Sequence, residues 1–203
     1  MSVAFPAIRN PSEMSWRLRA RTQTHTSPLD GTVQTLAMPG ARWEATLTWR
    51  TLPPDQYRQL EAFLASMSGM AGRFWYGPVH APRRATGGGS PVINGASQTG
   101  ATISMRGFSA DAQAFLAGDW FSYTDTTSRR RLHQVTANVT ANGSGVASVP
   151  VAPAIRRAGV DGAAVTISTP TGVFMLASDD TGEMQVRAPL LGAVSINIVE
   201  AIV

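Results

Sequence analysis

The sequence predicts a mainly β protein with one helix. Segments that alternate apolar and polar residues recur along the chain, and only one segment has helical periodicity. The 203 residues include 19 glycines and 13 prolines, which favour many turns. The length allows one large domain or two small ones. We therefore expect an α+β amino-terminal unit of three or four strands and one helix, followed by an all-β sandwich or barrel.

The amino-terminal unit begins with a predicted β-meander. Three segments are predicted as strands: residues 15–26, 32–37 and 42–51. In the third segment Trp43, Leu47 and Trp49 alternate with polar residues, so one face of the meander is apolar and needs a cover. This cover is the predicted helix that begins at Pro53–Asp55, where proline and a carboxylate suit the first turn. A short aromatic strand, residues 73–76, follows it.

A linker and a second unit are predicted beyond residue 78. Residues 79–91 contain three consecutive glycines and no apolar period, which is typical of a flexible connection. After the linker, short β runs alternate with turn clusters, as in a sandwich or barrel. These runs are residues 101–106, 120–123, 132–137, 147–151, 163–168, 173–176, 184–187 and 194–202. The predicted domains are therefore 1–78 and 92–203, joined by 79–91.

The sequence offers little for catalysis. It has no cysteine, which excludes disulfides, thiolate zinc sites and cysteine nucleophiles. His25, His80 and His133 lie in separate segments without a second ligand at helical spacing. A triad of His133, Asp119 and a serine can be drawn, but no nucleophile motif supports it, and Ser144 is better explained as a hairpin tip. We expect no enzyme activity, no catalytic, metal-binding or cofactor-binding residues, and no cofactor.

An acidic cluster near the carboxyl end is interpreted as a turn. Asp179, Asp180 and Glu183 lack the alternating oxygen ligands of a calcium loop. A solvated turn before a strand explains them better.

Arginine dominates the charge of the chain. All 17 basic residues are arginines, against 13 acidic residues, and the arginine excess lies in the first 84 residues. On an exposed sheet these side chains form a solvated face, whereas in an oligomer they form a charged seam, for which arginine is well suited. Our hypothesis is a subunit interface that contains Arg17, Arg19, Arg21, Glu44 and Arg50.

A second basic feature lies in the carboxyl-terminal half. Arg129, Arg130 and Arg131 follow one another between two predicted β runs. They are a candidate contact for a phosphate or an acidic partner, and the alternative is a solvated hairpin loop. The sequence also lacks a long apolar run and a typical secretion signal, so we expect no membrane association and assembly in a cytoplasm.

The order of these motifs resembles that of a known family. The Trp-rich meander, the helix Pro-Pro-Asp-Gln-Tyr-x-x-Leu-x-x-Phe-Leu and the strand Phe-Trp-Tyr resemble the ring domain of phage tail proteins. Residues 116–121, 132–137 and 149–156 resemble a segment in tail proteins of phages with long, non-contractile tails. The size and architecture are similar to those of the distal tail protein family.

The resemblance implies a structural role in the virion. Distal tail proteins form a hexameric ring at the tail tip, joining the tail tube to the baseplate hub during genome ejection. Residues 1–78 would then form the ring and residues 92–203 a peripheral β-sandwich. The implied partners are further copies of the chain, the tail tube protein, and the baseplate hub and tape-measure proteins, with DNA only as passing cargo. The alternatives are a tail tube or other minor tail subunit, a carbohydrate-binding receptor module, and a small hydrolase.

Overall fold

The protein is mainly β, as its sequence predicts. The computed structural model describes residues 2–187 and 191–202, and the protein is 48% strand and 8% helical. Met1, residues 188–190 and Val203, which belong to the predicted units, lie outside the described residues. The described strands are β1 (Val3–Ala4), β2 (Glu13–Arg19), β3 (Thr22–Thr26), β4 (Val33–Ala37), β5 (Arg42–Leu52), β6 (Phe74–Tyr76), β7 (Gly89–Ile93), β8 (Gly100–Phe108), β9 (Gln113–Phe115), β10 (Trp120–Thr124), β11 (Arg130–Val135), β12 (Val139–Thr140), β13 (Val146–Ile155), β14 (Val165–Thr166), β15 (Gly172–Leu176), β16 (Met184–Arg187) and β17 (Leu191–Glu200).

One α-helix, α1 (Pro54–Ser66), is present among the described residues, and a 3₁₀ turn follows at Gly69–Ala71. Proline in the first turn and the carboxylate of Asp55 suit the start of α1, which confirms the predicted helix. The helix buries Leu60 and Phe63 in the core beneath it. Gly192 lets the helix approach β17, because a Cβ there would lie 2.8 Å from the Cβ of Tyr57.

The first sheet joins strands from both ends of the chain. Its order is β1-β6-β15-β17-β5-β2, with β16 paired to β17, and among the described strand pairs of this sheet only β1 and β6 are parallel. β17 pairs with β5 along most of its length, so Ile196 and Ile198 extend the apolar face formed by Trp43 and Leu47. The strands β15, β16 and β17, which the sequence predicts as part of the second unit, therefore complete the sheet of the first one.

The predicted amino-terminal meander also differs in detail. Residues 15–26, expected as one strand, form the two strands β2 and β3, separated by Ala20 and Arg21. β2 pairs with β5, whereas in the described part of the chain β3 pairs with β4 alone. β3 and β4 thus form a separate hairpin that extends from the β2–β5 ribbon, beyond a turn at Pro39–Gly40 where Gly40 has a φ of 112°.

The second sheet is a nearly closed barrel. Its order is β14-β10-β11-β13-β8-β7. β7 approaches β14 through a bridge between Val92 and Ala164, and the Ile93 amide donates to the Ala163 carbonyl at 2.9 Å. A separate apolar cluster that includes Ile103, Phe121 and Val149 lies in its interior. β9 and β12 form a two-stranded ribbon beside it.

Residues 79–91 are packed, in contrast to the flexible linker expected from their composition. Arg83 donates to the carbonyls of Gly87 and Ala114 at 2.8 and 2.7 Å. The Arg84 amide donates to the buried carboxylate of Asp119 at 2.9 Å. The end of the segment already belongs to β7, so polar contacts, rather than an apolar period, hold it against the barrel.

The barrel and the first sheet share one contact region. The outer surface of the barrel strands β10 and β11 contributes Trp120 and Leu132 to the core of the first sheet. The ring centroids of Trp43 and Trp120 lie 4.5 Å apart, and the Trp43 indole donates to the Leu132 carbonyl at 3.3 Å. Arg156 also binds the buried carboxylate of Glu200. In the described part of the chain, no helix is long and apolar enough to cross a membrane.

Candidate functional site

The outer face of the first sheet carries most of the predicted interface residues. We use this name for the side of β2, β5 and β17 that faces away from the apolar core. Strand alternation turns Trp43, Ala45 and Leu47 inward, so Glu44 and Thr46 project outward. The antiparallel register then places Arg17 directly opposite Glu44.

Glu44 is the centre of an arginine cluster. Arg17 donates to one carboxylate oxygen from Nε at 2.9 Å and from Nη2 at 2.6 Å, and Arg19 donates to the other at 3.1 Å. Arg42 lies 3.9 Å from the same carboxylate. Burial opposes ionisation of Glu44, but the two hydrogen-bonded arginines outweigh it and lower the pKa of Glu44. One carboxylate therefore faces three cations, and the cluster keeps an excess positive charge.

The other two predicted interface residues lie outside this cluster. Arg50 pairs with Glu13 farther along the same sheet. Arg21 lies between β2 and β3, where its carbonyl accepts a hydrogen bond from the Met38 amide at 2.7 Å. The structure thus brings together Arg17, Arg19 and Glu44, and separates Arg21 and Arg50 from them.

Two shallow depressions divide the outer face into a basic end and an acidic end. The basic end has a volume of about 490 Å³ and is lined by the arginine cluster around Glu44. The acidic end has a volume of about 650 Å³ and is lined by Asp180, Glu183 and Arg50. Asn197 lines both depressions, so they are parts of one continuous surface.

The β3–β4 hairpin is exposed on both of its faces. From Arg21 to Pro39 every residue is exposed except the half-buried Ser27. Val33 and Leu36, which lie on opposite faces, are 60% and 59% exposed, and Leu29 at the tip is 96% exposed. A lone two-stranded hairpin is at best marginally stable in water, so this arrangement favours a partner that covers the hairpin.

The Arg129–Arg131 triplet does not form one exposed basic patch. Arg131 lies inside the barrel with a side chain that is 5% exposed, and its Nε donates to Asp125 at 2.7 Å. Arg130 lies over the Trp75 ring, 4.3 Å from its centroid, at the junction with the first sheet. The strand alternation of β11 explains the difference, because Arg131 points inward as His133 does and Arg130 points outward.

Asp125 is held as an anion inside the barrel. Burial opposes its ionisation, but hydrogen bonds from the backbone of Arg129, from Thr127 and from the Arg131 guanidinium outweigh burial and lower the pKa of Asp125.

The three histidines remain apart. His25 is exposed on β3, and Nε2 of His80 lies 3.0 Å from the Pro11 carbonyl. His133 is buried between the rings of Phe121 and Tyr123, and its Nδ1 donates to the Pro153 carbonyl at 2.9 Å. Burial lowers the pKa of His133 to about 4, with the charges of Arg156 and Arg131 acting in the same direction. In the ranges described, no three histidine, aspartate or glutamate side chains gather as a group that could hold a metal ion.

Sequence reasoning missed two features of this region. The first is the exposure of the hairpin, although the segment Thr-Gln-Thr-His-Thr of β3 has no large apolar residue and thus already lacks a core-facing side. The second is that Asp180 and Glu183 share a surface with the arginine cluster. No local pattern indicates this, since it depends on the pairing of β17 with β5 and β16.

No protein-family model and no curated protein sequence matches this chain.

Proposed function

We propose that the chain is a structural subunit of a phage tail, a distal tail protein that forms a ring between the tail tube and the baseplate hub. The observation that carries this proposal is the β3–β4 hairpin, whose residues are exposed on both faces and include Val33 and Leu36. Such a hairpin is stabilised when another surface packs against it, and in a ring the neighbouring copies provide that surface.

An open sheet edge supports the same function. β2 lies at one edge of the first sheet, and its seven residues have a paired strand on one side only within the described chain. An uncovered edge strand is a template for association with another chain. Ring closure covers such edges without leaving a free end, because a head-to-tail contact closes when its rotation fits.

The arginines fit a contact between subunits better than the surface of the DNA passage. Arg17 and Arg19 have side chains that are 75% and 62% exposed in the isolated chain. Arginines that lined the passage would bind the phosphates and retard the DNA. In the proposed ring they therefore lie between subunits, while the barrel is peripheral. The chain acts mechanically, as an adaptor and collar, and uses no cofactor.

Electron microscopy of the purified chain, with light scattering to measure its mass in solution, tests this function. We expect closed rings, most simply hexamers, with a central opening. Replacing the exposed hairpin residues, Val33→Thr with Leu36→Thr, should shift the chain towards monomers, because the apolar surface buried in the ring is reduced.

A matched control separates this effect from general surface polarity. Val160 and Ile202 are also exposed, at 53% and 45%, but lie outside the hairpin. The variant Val160→Thr with Ile202→Thr should keep its rings. A wild-type chain that remains monomeric at high micromolar concentration, and is absent from purified tails, would contradict the proposed function.

A further inference from the structure

We infer that the basic end of the outer face binds the acidic end of the same face on the next copy of this chain. This inference rests on the proposed function, since it specifies which surfaces meet in the ring. Its basis is the distribution of charge on one continuous surface.

Among the side chains that the structure describes, the two ends carry opposite excess charges of equal size. At the basic end Arg17, Arg19 and Arg42 surround a single carboxylate, Glu44, which leaves two positive charges in excess. At the acidic end Arg50 is neutralised by Glu13. Asp180 and Glu183, both exposed, then leave two negative charges in excess.

The basic and acidic ends form no ion pair with each other within the described residues. The arginines of the basic end face Glu44. Asp180 and Glu183 are exposed, and none of the ion pairs among the described residues includes them. Each end is therefore free to interact with an opposite charge that another molecule brings to it.

The surface between the ends is polar and already internally bonded. Thr46 donates to the Asn197 side chain at 2.8 Å, and the hydroxyls of Thr48 and Ser195 lie 3.1 Å apart. These groups already have hydrogen-bond partners within the chain and do not require one from another molecule. The charged ends thus determine the direction of contact, while the apolar side chains of the hairpin provide surface to bury.

A second copy is the partner that this pattern specifies. A positive and a negative end on one molecule are complementary to the same pair on its neighbour, and like ends repel. A two-fold pair would match these charges as well, but it would not build the proposed ring. In that ring each copy offers its basic end to one neighbour and its acidic end to the other, which is the heterologous contact that a closed ring requires.

Charge reversal at each end tests the inference. The variant Arg17→Glu with Arg19→Glu makes both ends acidic, and the variant Asp180→Arg with Glu183→Arg makes both ends basic. Each variant alone should remain monomeric, with an association constant reduced roughly a hundredfold or more. Circular dichroism should match that of the wild type, because all four side chains are exposed.

Mixing the two variants is the decisive measurement. An equimolar mixture should again form rings, with the two variants alternating, and the chain that carries all four substitutions should also form rings. Rings formed by either variant alone, or a mixture that stays monomeric, would overturn the assignment of the surfaces. Wild-type assembly that stops at a two-fold dimer would overturn the head-to-tail direction.

Two controls keep the outcomes distinct. Arg58 and Arg157 are exposed and do not line either depression, so Arg58→Glu with Arg157→Glu matches the change in net charge and should leave rings intact. Arg17→Ser with Arg19→Ser removes the basic excess without adding a carboxylate beside Glu44 and should also weaken the rings.

If wild-type rings form but persist in every reversal variant, the surface assignment fails and the ring function stands. If the wild type forms no rings, the function itself fails.

Discussion

Two arginine–carboxylate ion pairs of this molecule lie in very different surroundings. In the barrel, Arg131 lies 2.7 Å from Asp125, and their side chains are 5% and 0% exposed. On the outer face, Arg17 lies 2.6 Å from Glu44, but its side chain is 75% exposed. The distances are nearly equal, so the difference in surroundings decides what each pair does. The buried pair is part of the fold, whereas the exposed pair contributes little to folding and is available for binding.

The largest expected effect comes from breaking the buried pair. Asp125→Asn removes a buried carboxylate that pairs with the Arg131 guanidinium, so the free energy of unfolding should fall by about 3 to 5 kcal/mol. Urea denaturation measures this loss.

A second substitution distinguishes loss of charge balance from loss of packing. Asp125→Asn combined with Arg131→Met removes both charges, and the double variant should be more stable than Asp125→Asn alone. A double variant that loses the sum of the two single effects would show that the pair is not coupled.

The barrel interior should also make stability depend on pH. His133 has a pKa of about 4 in the folded chain, below the ordinary value of 6.5 that applies when the chain is unfolded. Below pH 6.5 the unfolded chain therefore binds a proton that the folded chain does not. The contribution of His133 to the free energy of unfolding is therefore complete above about pH 6.5. It is lost as the pH drops towards 4, by about 3 kcal/mol in total.

Unfolding midpoints in urea between pH 7 and pH 4 measure this dependence. In His133→Gln, which keeps an N–H donor for the Pro153 carbonyl, the decline over this window should be shallower. An unchanged slope would mean that another group causes the decline.

The smallest effect is expected on the outer face. Arg17→Ala in the monomeric chain should change the free energy of unfolding by less than about 1 kcal/mol, because its ion pair with Glu44 is exposed to solvent. Thermal unfolding of the variant under conditions where the wild type is monomeric checks this. If Arg17→Ala lowered the free energy of unfolding as much as Asp125→Asn does, the exposed pair would contribute as much to folding as the buried pair, which contradicts the prediction.

Local sequence patterns predict where the strands and the helix lie better than they predict which strands pair with each other. The alternation in β5 and the helical spacing of Leu60 and Phe63 each extend over about a dozen residues and could be identified directly. The pairing of Ile198 with Ala45 joins residues far apart in the chain. Many strands have a compatible apolar face, and alternation alone does not select among them. The return of β15 and β17 to the first sheet was therefore not predictable.

The candidate site was predictable to a similar extent. Period-two alternation places Arg17 and Arg19 on one face, and the structure brings both to Glu44. Arg21 continues the same alternation in the sequence but lies beyond the end of β2, where the chain turns into the hairpin. Arg131 was predicted as a surface residue because composition alone does not show which side of β11 faces the barrel interior.

The barrel is inserted between two strands that lie side by side. The chain leaves the first sheet after Tyr76 and returns at Gly172, which pairs with Tyr76 itself. On the ribosome, residues 77–171 are therefore complete before β15 and β17 exist, and the barrel is free to fold while β5 still lacks its neighbour. The first sheet cannot be completed until β15 and β17 have been synthesised, and these strands pair with residues that are distant in the sequence. We therefore expect the first sheet to form more slowly than the barrel. Trp120 and Leu132, supplied by the barrel, are available to cover Trp43 during this interval.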